Sequence, residues 1–339
     1  MMELKGGLIG CGFFAENHLN AWRDLDGVAI TAVCDRDRAK ADDAARRFGI
    51  AAVYDDAAGM LAAEKLDFVD IATTVESHRA LVTLAAANGV AAICQKPFAI
   101  DEADARAMVD ACAEAGVPLM VHENFRWQRP ILAAKAALDQ GRIGEPFYAR
   151  ITFRHGHDIY TNQPYLRTVP RLAIQDLGIH LLDVARFLFG EVERVYCRTQ
   201  RISPDVAGED AATIVLDHAN GMRCIVDCCF ATTLHPDPFP QTWLRIEGCT
   251  GTIAIDKDYR VSVSGNGERD EASAEPDLPG WGAVPWHLIQ DSVIAIQRHW
   301  VECLREKRAP ATSGADNLKT LALTFAAYDS AASGRAVTP

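Results

Sequence analysis

The sequence has no apolar run of the roughly 18 residues that a membrane-spanning helix needs, so that class of protein is set aside. Basic residues are scarce: 34 Lys and Arg stand against 46 Asp and Glu, for a formal net charge of −12. No surplus positive charge exists to neutralise phosphates, which argues against a nucleic-acid partner. None of the 10 cysteines forms a C-x-x-C pair. Most sit inside apolar runs, as in Val33-Cys34 and Ile93-Cys94, and read as small buried hydrophobes in a reducing compartment. In the one cluster, an alternating strand would send Cys228 and Cys229 to opposite faces, so no shared metal is expected. Internal repeats and low-complexity tracts are absent. No basic or apolar targeting region separates Met1 from the first strand, and the expected place is the cytoplasm.

What remains is an average soluble composition, 49% apolar and 24% charged over 339 residues. That excludes a disordered chain, a coiled coil or a collagen-like rod, and the length suits two domains. Up to residue 121, short apolar strands alternate with alanine-rich amphipathic stretches at 36–48, 77–88 and 101–115, the last opened by Asp101 and closed by Gly116. Wholly apolar strands linked by helices predict a doubly wound parallel sheet, an α/β Rossmann domain over 1–121. Beyond it come helices near 130–140 and 173–189, then strand-like runs at 146–154, 192–202, 210–217, 222–231, 241–247 and 251–255. The stretch 264–280 reads as an exposed loop, and helices at 286–306 and 316–333 end the chain. Residues 122–339 are thus expected to form an α+β domain with a large open, mostly antiparallel sheet, serving substrate binding and oligomerisation.

Gly10-Cys11-Gly12-Phe13-Phe14-Ala15 follows a strand and opens a helix, matching G-x-G-x-x-G/A. Such glycines permit a tight turn and close approach of backbone to a pyrophosphate, which the helix N-terminus favours. Asp35 stands at the end of the second strand, placed to hydrogen-bond adenosine ribose hydroxyls and to repel a 2′-phosphate. NAD is therefore expected over NADP, although Arg36 and Arg38 follow and are of the type that holds a 2′-phosphate.

Lys96 ends the fifth strand, where ligands of doubly wound sheets sit. Asp176 and His180 are four apart in an apolar helix and so share a face. They are open to three readings: a satisfied core pair, half of a metal site lacking further ligands, or groups facing a nicotinamide. In the third, histidine titrates in the range needed to take a hydroxyl proton and lysine stabilises the developing alkoxide.

Taken together, Gly10-Cys11-Gly12 with His18, Ala72-Thr73 with His78, Lys96-Pro97, Asn124-Phe125-Arg126-Trp127 and Asp176-Leu177-Gly178-Ile179-His180 resemble the glucose–fructose oxidoreductase, inositol dehydrogenase and rhizopine-catabolism (Gfo/Idh/MocA) family over essentially the whole chain. The resemblance implies an NAD-binding Rossmann domain and a second domain whose open sheet joins subunits into a homodimer or homotetramer. It also implies a catalytic trio of Lys96, Asp176 and His180, with His180 as base, Lys96 assisting and Asp176 orienting substrate. Cofactor contacts are expected at Gly10, Gly12, Phe13, Phe14, Asp35, Arg36, Thr73, Thr74, His78, Gln95 and Lys96. Two positions depart from the family pattern: Gln95 replaces the usual glutamate, and Thr74-Val75 the usual proline–asparagine.

Hydrogen-bonding and aromatic residues then crowd the middle of the chain. Glu123, Asn124, Arg126, Trp127, His157 and Tyr160, with Lys96, Asp176 and His180, suit a polyhydroxylated ligand: a sugar, sugar acid or cyclitol. His155 and His157 would share one face of a strand. The wording around Lys96 and Asn124 is similar to family members that oxidise aldopentoses, apiose among them, to lactones. A cyclitol dehydrogenase, an NAD-bound regulator without catalysis and a redox-neutral enzyme with tightly held cofactor are the competing classes.

Overall fold

The structure, a computed structural model, describes residues 3–339. The chain forms two compact units: unit 1 runs up to Glu123 and takes back Val293–Leu321, and unit 2 comprises Asn124–Ser292 with Ala322–Pro339.

Unit 1 is built from β1 (Leu4–Ile9), α1 (Ala15–Arg23), β2 (Val28–Cys34), α2 (Arg38–Phe48), β3 (Ala52–Tyr54), α3 (Ala57–Ala63), β4 (Phe68–Ile71), α4 (His78–Ala87), β5 (Ala91–Gln95), α5 (Glu102–Ala115) and β6 (Leu119–His122). The strands lie in the order β3-β2-β1-β4-β5-β6, and every pairing is parallel. The order reverses between β1 and β4, and the crevice at such a reversal is where doubly wound sheets bind ligands. β4 and β5 are buried throughout, as a sheet covered on both faces requires. Asp101 caps α5 by accepting the N–H of Asp104, and Gly116 closes the helix in the left-handed conformation.

The expected division of the chain is one cut at 121/122, whereas the units part at 123/124 and Val293–Leu321 rejoins unit 1. Packing explains the return. Trp300, fully buried, sets its ring edge against Phe68, Arg305 donates to the carbonyl of Gly27, and the Val121 N–H donates to the Thr312 carbonyl at 2.8 Å while the Thr312 hydroxyl donates to the Val121 carbonyl at 2.7 Å.

Unit 2 holds α6 (Arg129–Asp139), β7 (Pro146–Arg154), α7 (Ile179–Phe189), β8 (Val192–Gln200), β9 (Ala211–His218), β10 (Arg223–Cys229), β11 (Trp243–Gly248), β12 (Gly251–Asp256), β13 (Arg260–Gly265) and β14 (Glu268–Ser273). Two long helices, α8 (His287–Glu306) and α9 (Gly314–Ser333), complete the chain. The eight strands form one sheet in the order β14-β13-β12-β11-β7-β10-β9-β8, antiparallel except for the parallel pairing of β7 with β10. The expected loop at 264–280 is corrected in its first half: Asn266 and Gly267, both at positive φ, turn β13 into β14. β14 is exposed along its length, so it shows no alternation, and it joins β13 through its backbone and through the Arg260–Glu271 ion pair.

All ten cysteines are free thiols. Among the described residues no helix is long and apolar enough to cross a membrane, and no group of three or more His, Cys, Asp or Glu side chains is arranged to hold a metal ion.

Candidate active site

In unit 1 the turn after β1 is shaped for close approach. Gly10 has φ +95°, and a Cβ there would stand 2.7 Å from Thr73 Cγ2 and 2.9 Å from the Ala72 carbonyl carbon. Only glycine fits. A Cβ on Gly12 would meet nothing within 4 Å, so that backbone faces open space. α1 begins at Ala15, directly after the glycine turn, with no side-chain cap, so the turn leads into the helix end that favours an anion. Asp35, just beyond β2, accepts the N–H of Cys11 at 2.7 Å and of Asp37 at 2.9 Å, tying the acidic residue to the glycine turn. A cleft of about 320 Å³ opens beside this turn between α1 and α2, with Cys11, Gly12, Glu16, Lys40 and Arg47 on its walls. An open glycine turn, an uncapped helix start and a carboxylate fixed to the turn fit a dinucleotide. Phe13 and Arg36 are exposed beside it and Phe14 is half-buried. Arg38 is paired with Asp42 on its own helix at 2.9 Å.

The second half of the crevice is held by histidines. His78 is fully buried, with Nδ1 3.1 Å from the carbonyl of Phe98 and Nε2 3.1 Å from that of Thr73. It fastens the Thr73–Thr74 turn to the segment after Lys96, and burial lowers its pKa. Thr73 accepts a hydrogen bond from Ser77. Gln95 is buried; its amide meets His18 Nε2 at 3.0 Å and the N–H of Lys96 at 2.7 Å. His18 in turn meets Asp70, which also accepts the indole N–H of Trp22. The signal of this Asp70–His18–Gln95 network in the sequence is the lone carboxylate in the apolar strand β4.

Unit 2 carries Asp176 and His180. The expected continuous helix over 173–189 opens instead with a π-helical turn, Ile174–Gly178, which contains Asp176. Glu209 braces it: its Oε1 accepts the N–H of Leu172 and of Ile174 and the hydroxyl of Tyr328, while Gln175 donates its N–H to the same hydroxyl. Burial and the Glu209 carboxylate push the Tyr328 pKa up, so the phenol stays a donor. Extra turns of this kind recur at functional sites. His180, on the first turn of α7, stacks on Phe125 with ring centres 4.0 Å apart and planes 3° from parallel, which fixes the imidazole plane.

The other expected ligand contacts divide. Arg126 is buried and forks onto Asp183 of α7 through bonds of 2.5 and 2.6 Å, and Asn124 donates to Ser292 Oγ at 2.6 Å. Both hold the wall of unit 2. Glu123, fully buried, ends unit 1. Trp127 and His157 are half-buried. β7 stops at Arg154, so His155 and His157 do not share a strand face. They pack against Phe239 at ring distances of 5.0 and 4.3 Å. His155 is buried, and burial pushes its pKa down to about 4 while Asp176, among other charges, works against the fall. Tyr160 lies under the guanidinium of Arg167 at 4.4 Å; burial and the charges of Asp210 and Asp176 raise its pKa.

Comparison with known proteins accords with this arrangement. Residues 4–123 match the family described as "Oxidoreductase family, NAD-binding Rossmann fold" and residues 131–254 the "GFO/IDH/MocA C-terminal domain". The D-apiose dehydrogenase of Paraburkholderia graminis is 55% identical over 335 residues, covering 99% of this chain and 89% of that protein. The D-apiose dehydrogenase of Rhizobium rhizogenes is 54% identical over 337 residues, covering 99% and 98%. The crystal structure of an oxidoreductase from Agrobacterium radiobacter in complex with NAD+, L-tartaric acid and magnesium superposes with a TM-score of 0.98 at 54% identity, covering 99% of this chain and 98% of that one. The protein is thus an NAD-dependent dehydrogenase, and its chain belongs to the Gfo/Idh/MocA family of oxidoreductases.

Proposed function

We propose that this protein is a cytoplasmic sugar dehydrogenase that oxidises the anomeric hydroxyl of an aldopentose of the apiose type, giving a lactone and NADH. The observation that carries this reading is likeness along the whole chain to D-apiose dehydrogenases, in a sequence that has a lysine at 96, an aspartate at 176 and a histidine at 180. Unit 1 would hold the cofactor through the Gly10–Ala15 turn and Asp35. Unit 2 would hold the sugar and join copies into a homodimer or homotetramer.

Bound NAD supplies the acceptor for the hydride that leaves the sugar carbon. His180 takes the proton of the same hydroxyl, its ring plane held by Phe125. The Lys96 ammonium donates a hydrogen bond to the oxygen as its negative charge grows. Asp176 accepts from a neighbouring hydroxyl and orients the ring. Trp127, His157 and Tyr160 offer faces and edges to the rest of the sugar, while Arg126 and Asn124 act from behind by bracing the wall.

The test is nicotinamide absorbance in the near ultraviolet with NAD and a panel of pentoses, hexoses and cyclitols, followed by identification of the product. Reduction with D-apiose and recovery of its lactone is the expected outcome. Reduction only with inositols would move the substrate to cyclitols. No reduction with any polyol, from protein that binds NAD, would replace catalysis by a sensor's role.

A further inference from the structure

We infer that Gln95 holds His18 as the neutral tautomer protonated at Nδ1, and that His18 and Asp70 are positioning residues for Lys96, acting through the Gln95 amide. The inference rests on the reading of Lys96 as the catalytic lysine; the assignment of the tautomer does not.

The backbone N–H of Lys96 can only donate, so the Gln95 atom 2.7 Å from it is the carbonyl oxygen. The other end of that amide is then the NH2, which has no lone pair to offer. It lies 3.0 Å from His18 Nε2, so Nε2 must accept and carries no proton. The ring proton is therefore on Nδ1, which donates to Asp70 Oδ2 at 2.8 Å. The same oxygen accepts the indole N–H of Trp22 at 2.7 Å. Every donor points one way, from the Lys96 backbone through Gln95 and His18 to one carboxylate, an order in which each bond polarises the next.

Burial gives the chain its value. His18 and Asp70 are 0% exposed and Gln95 9%, and the His122 ring stacks on His18 at 4.2 Å with Phe14 edge-on at 5.5 Å. Water cannot easily replace a missing partner. Asp70 lies in β4, paired with Leu8 of β1 and Ile93 of β5, which makes it a rigid anchor in the middle of the sheet. The amide of Gln95 carries that rigidity to the first backbone group beyond the strand, the N–H of Lys96.

An amide also settles the charge. Were both ends of this relay carboxylates, each would need a proton from the imidazole, and His18 would have to be a cation. Gln95 requires only a lone pair from the ring, so one negative charge, that of Asp70, is enclosed with two N–H donors and a neutral histidine. Seen this way, the departure from glutamate at position 95 and a neutral His18 form one matched change.

Ring nitrogens can be read directly in protein labelled with [15N]histidine, by two-bond proton–nitrogen correlation near neutral pH with NAD bound, His18 being assigned from its loss in His18→Gln. A single proton on Nδ1 is expected. A proton on Nε2, or on both nitrogens, overturns the tautomer. In Gln95→Leu the Lys96 amide should exchange with solvent at least about tenfold faster, and turnover of D-apiose should fall by about tenfold with KM for NAD changed less than about twofold. Gln95→Glu keeps an acceptor for the Lys96 N–H, so it should recover most of that turnover while placing a second proton on His18. Unchanged exchange at Lys96 in Gln95→Leu overturns the positioning role even if the tautomer stands. Failure of the catalytic reading shows separately: Lys96→Ala would then retain turnover, with the His18 spectrum unaltered.

Discussion

At the end of β2 the two carboxylate oxygens of Asp35 each accept one backbone N–H, from Cys11 and from Asp37, and each retains acceptor capacity for a further donor. A ribose diol fills that need, whereas a 2′-phosphate brings charge of the same sign. NAD is expected to bind at least about tenfold tighter than NADP, and Asp35→Ala to weaken NAD while closing most of that gap, each of about a factor of ten per 1.4 kcal/mol. Calorimetric titration with both cofactors checks it, and equal affinities in the unaltered protein would remove Asp35 from this role. His155 yields a prediction of another kind. Its Nδ1 accepts the N–H of His157 at 3.1 Å, and burial pushes its pKa from 6.5 to about 4. Between those values the unfolded chain binds a proton that the folded chain refuses, so stability is complete above about pH 6.5 and is lost as the pH falls toward 4. The loss from this one group is about 3 kcal/mol. Urea midpoints measured near pH 7 and near pH 4.5 should differ less in His155→Asn, whose side chain does not titrate and can still accept from residue 157.

Among the elements, α7 bears His180 and is fastened by one buried ion pair, Arg126 with Asp183, on which Arg186 also leans at 3.9 Å. Removing one partner strands a charge, so Asp183→Ala should cost about 3–5 kcal/mol and lower the melting temperature sharply, while Asp183→Leu combined with Arg126→Met should recover much of it. Thermal melts of the single and double variants decide this; a single variant as stable as the parent would contradict the buried pair. The helices that stand out in the sequence are those with local punctuation. Asp101 and Gly116 bound α5 to within a residue, because a cap and a left-handed turn are properties of neighbouring residues. Elements fixed from afar were not legible. The π-helical turn around Asp176 is braced by Glu209 and by Tyr328, far along the chain, and β14 has no buried residue to set a period. The site divides on the same line. The glycine turn and the aspartate tied to it lie within short stretches of sequence, whereas the continuous helix expected to carry both Asp176 and His180 is interrupted by the π-helical turn. Gln95 and His18 are 77 residues apart, and only the seating of α1 on the sheet that contains β5 brings them together. Arg126 is paired with Asp183, a partner 57 residues away that nothing in its local sequence announces.

For the molecule as a whole, the eight-stranded sheet leaves one face to explain. Along β7, Ala149, Ile151 and Phe153 are buried, while Tyr148, Arg150, Thr152 and Arg154 point to the other side. There Asp227 of β10 receives Arg150 at 2.9 Å and Arg154 at 2.6 Å, and by register Trp243 of β11 stands beside Thr152 and Ile225 of β10 beside Arg150. The two edges of the sheet are closed to further strands. β14 is charged and exposed, with Arg142 bonded to Asp270, and β8 is capped by Val337, which exchanges N–H···O bonds of 2.9 Å with Val195. Charged or covered edges discourage strand addition. Self-association is therefore expected to use the face, in a closed two-fold arrangement that sets the Arg150–Asp227–Arg154 cluster against its own copy. Light scattering at micromolar concentration should give the mass of two or four chains. Asp227→Lys, which places three cations together, should raise the dissociation constant at least about tenfold, whereas Glu114→Lys on α5 should leave the mass unchanged. A monomer in the unaltered protein would show that this face meets solvent, and its mixed arginine, aspartate and threonine surface would then be a solvated sheet of the ordinary kind.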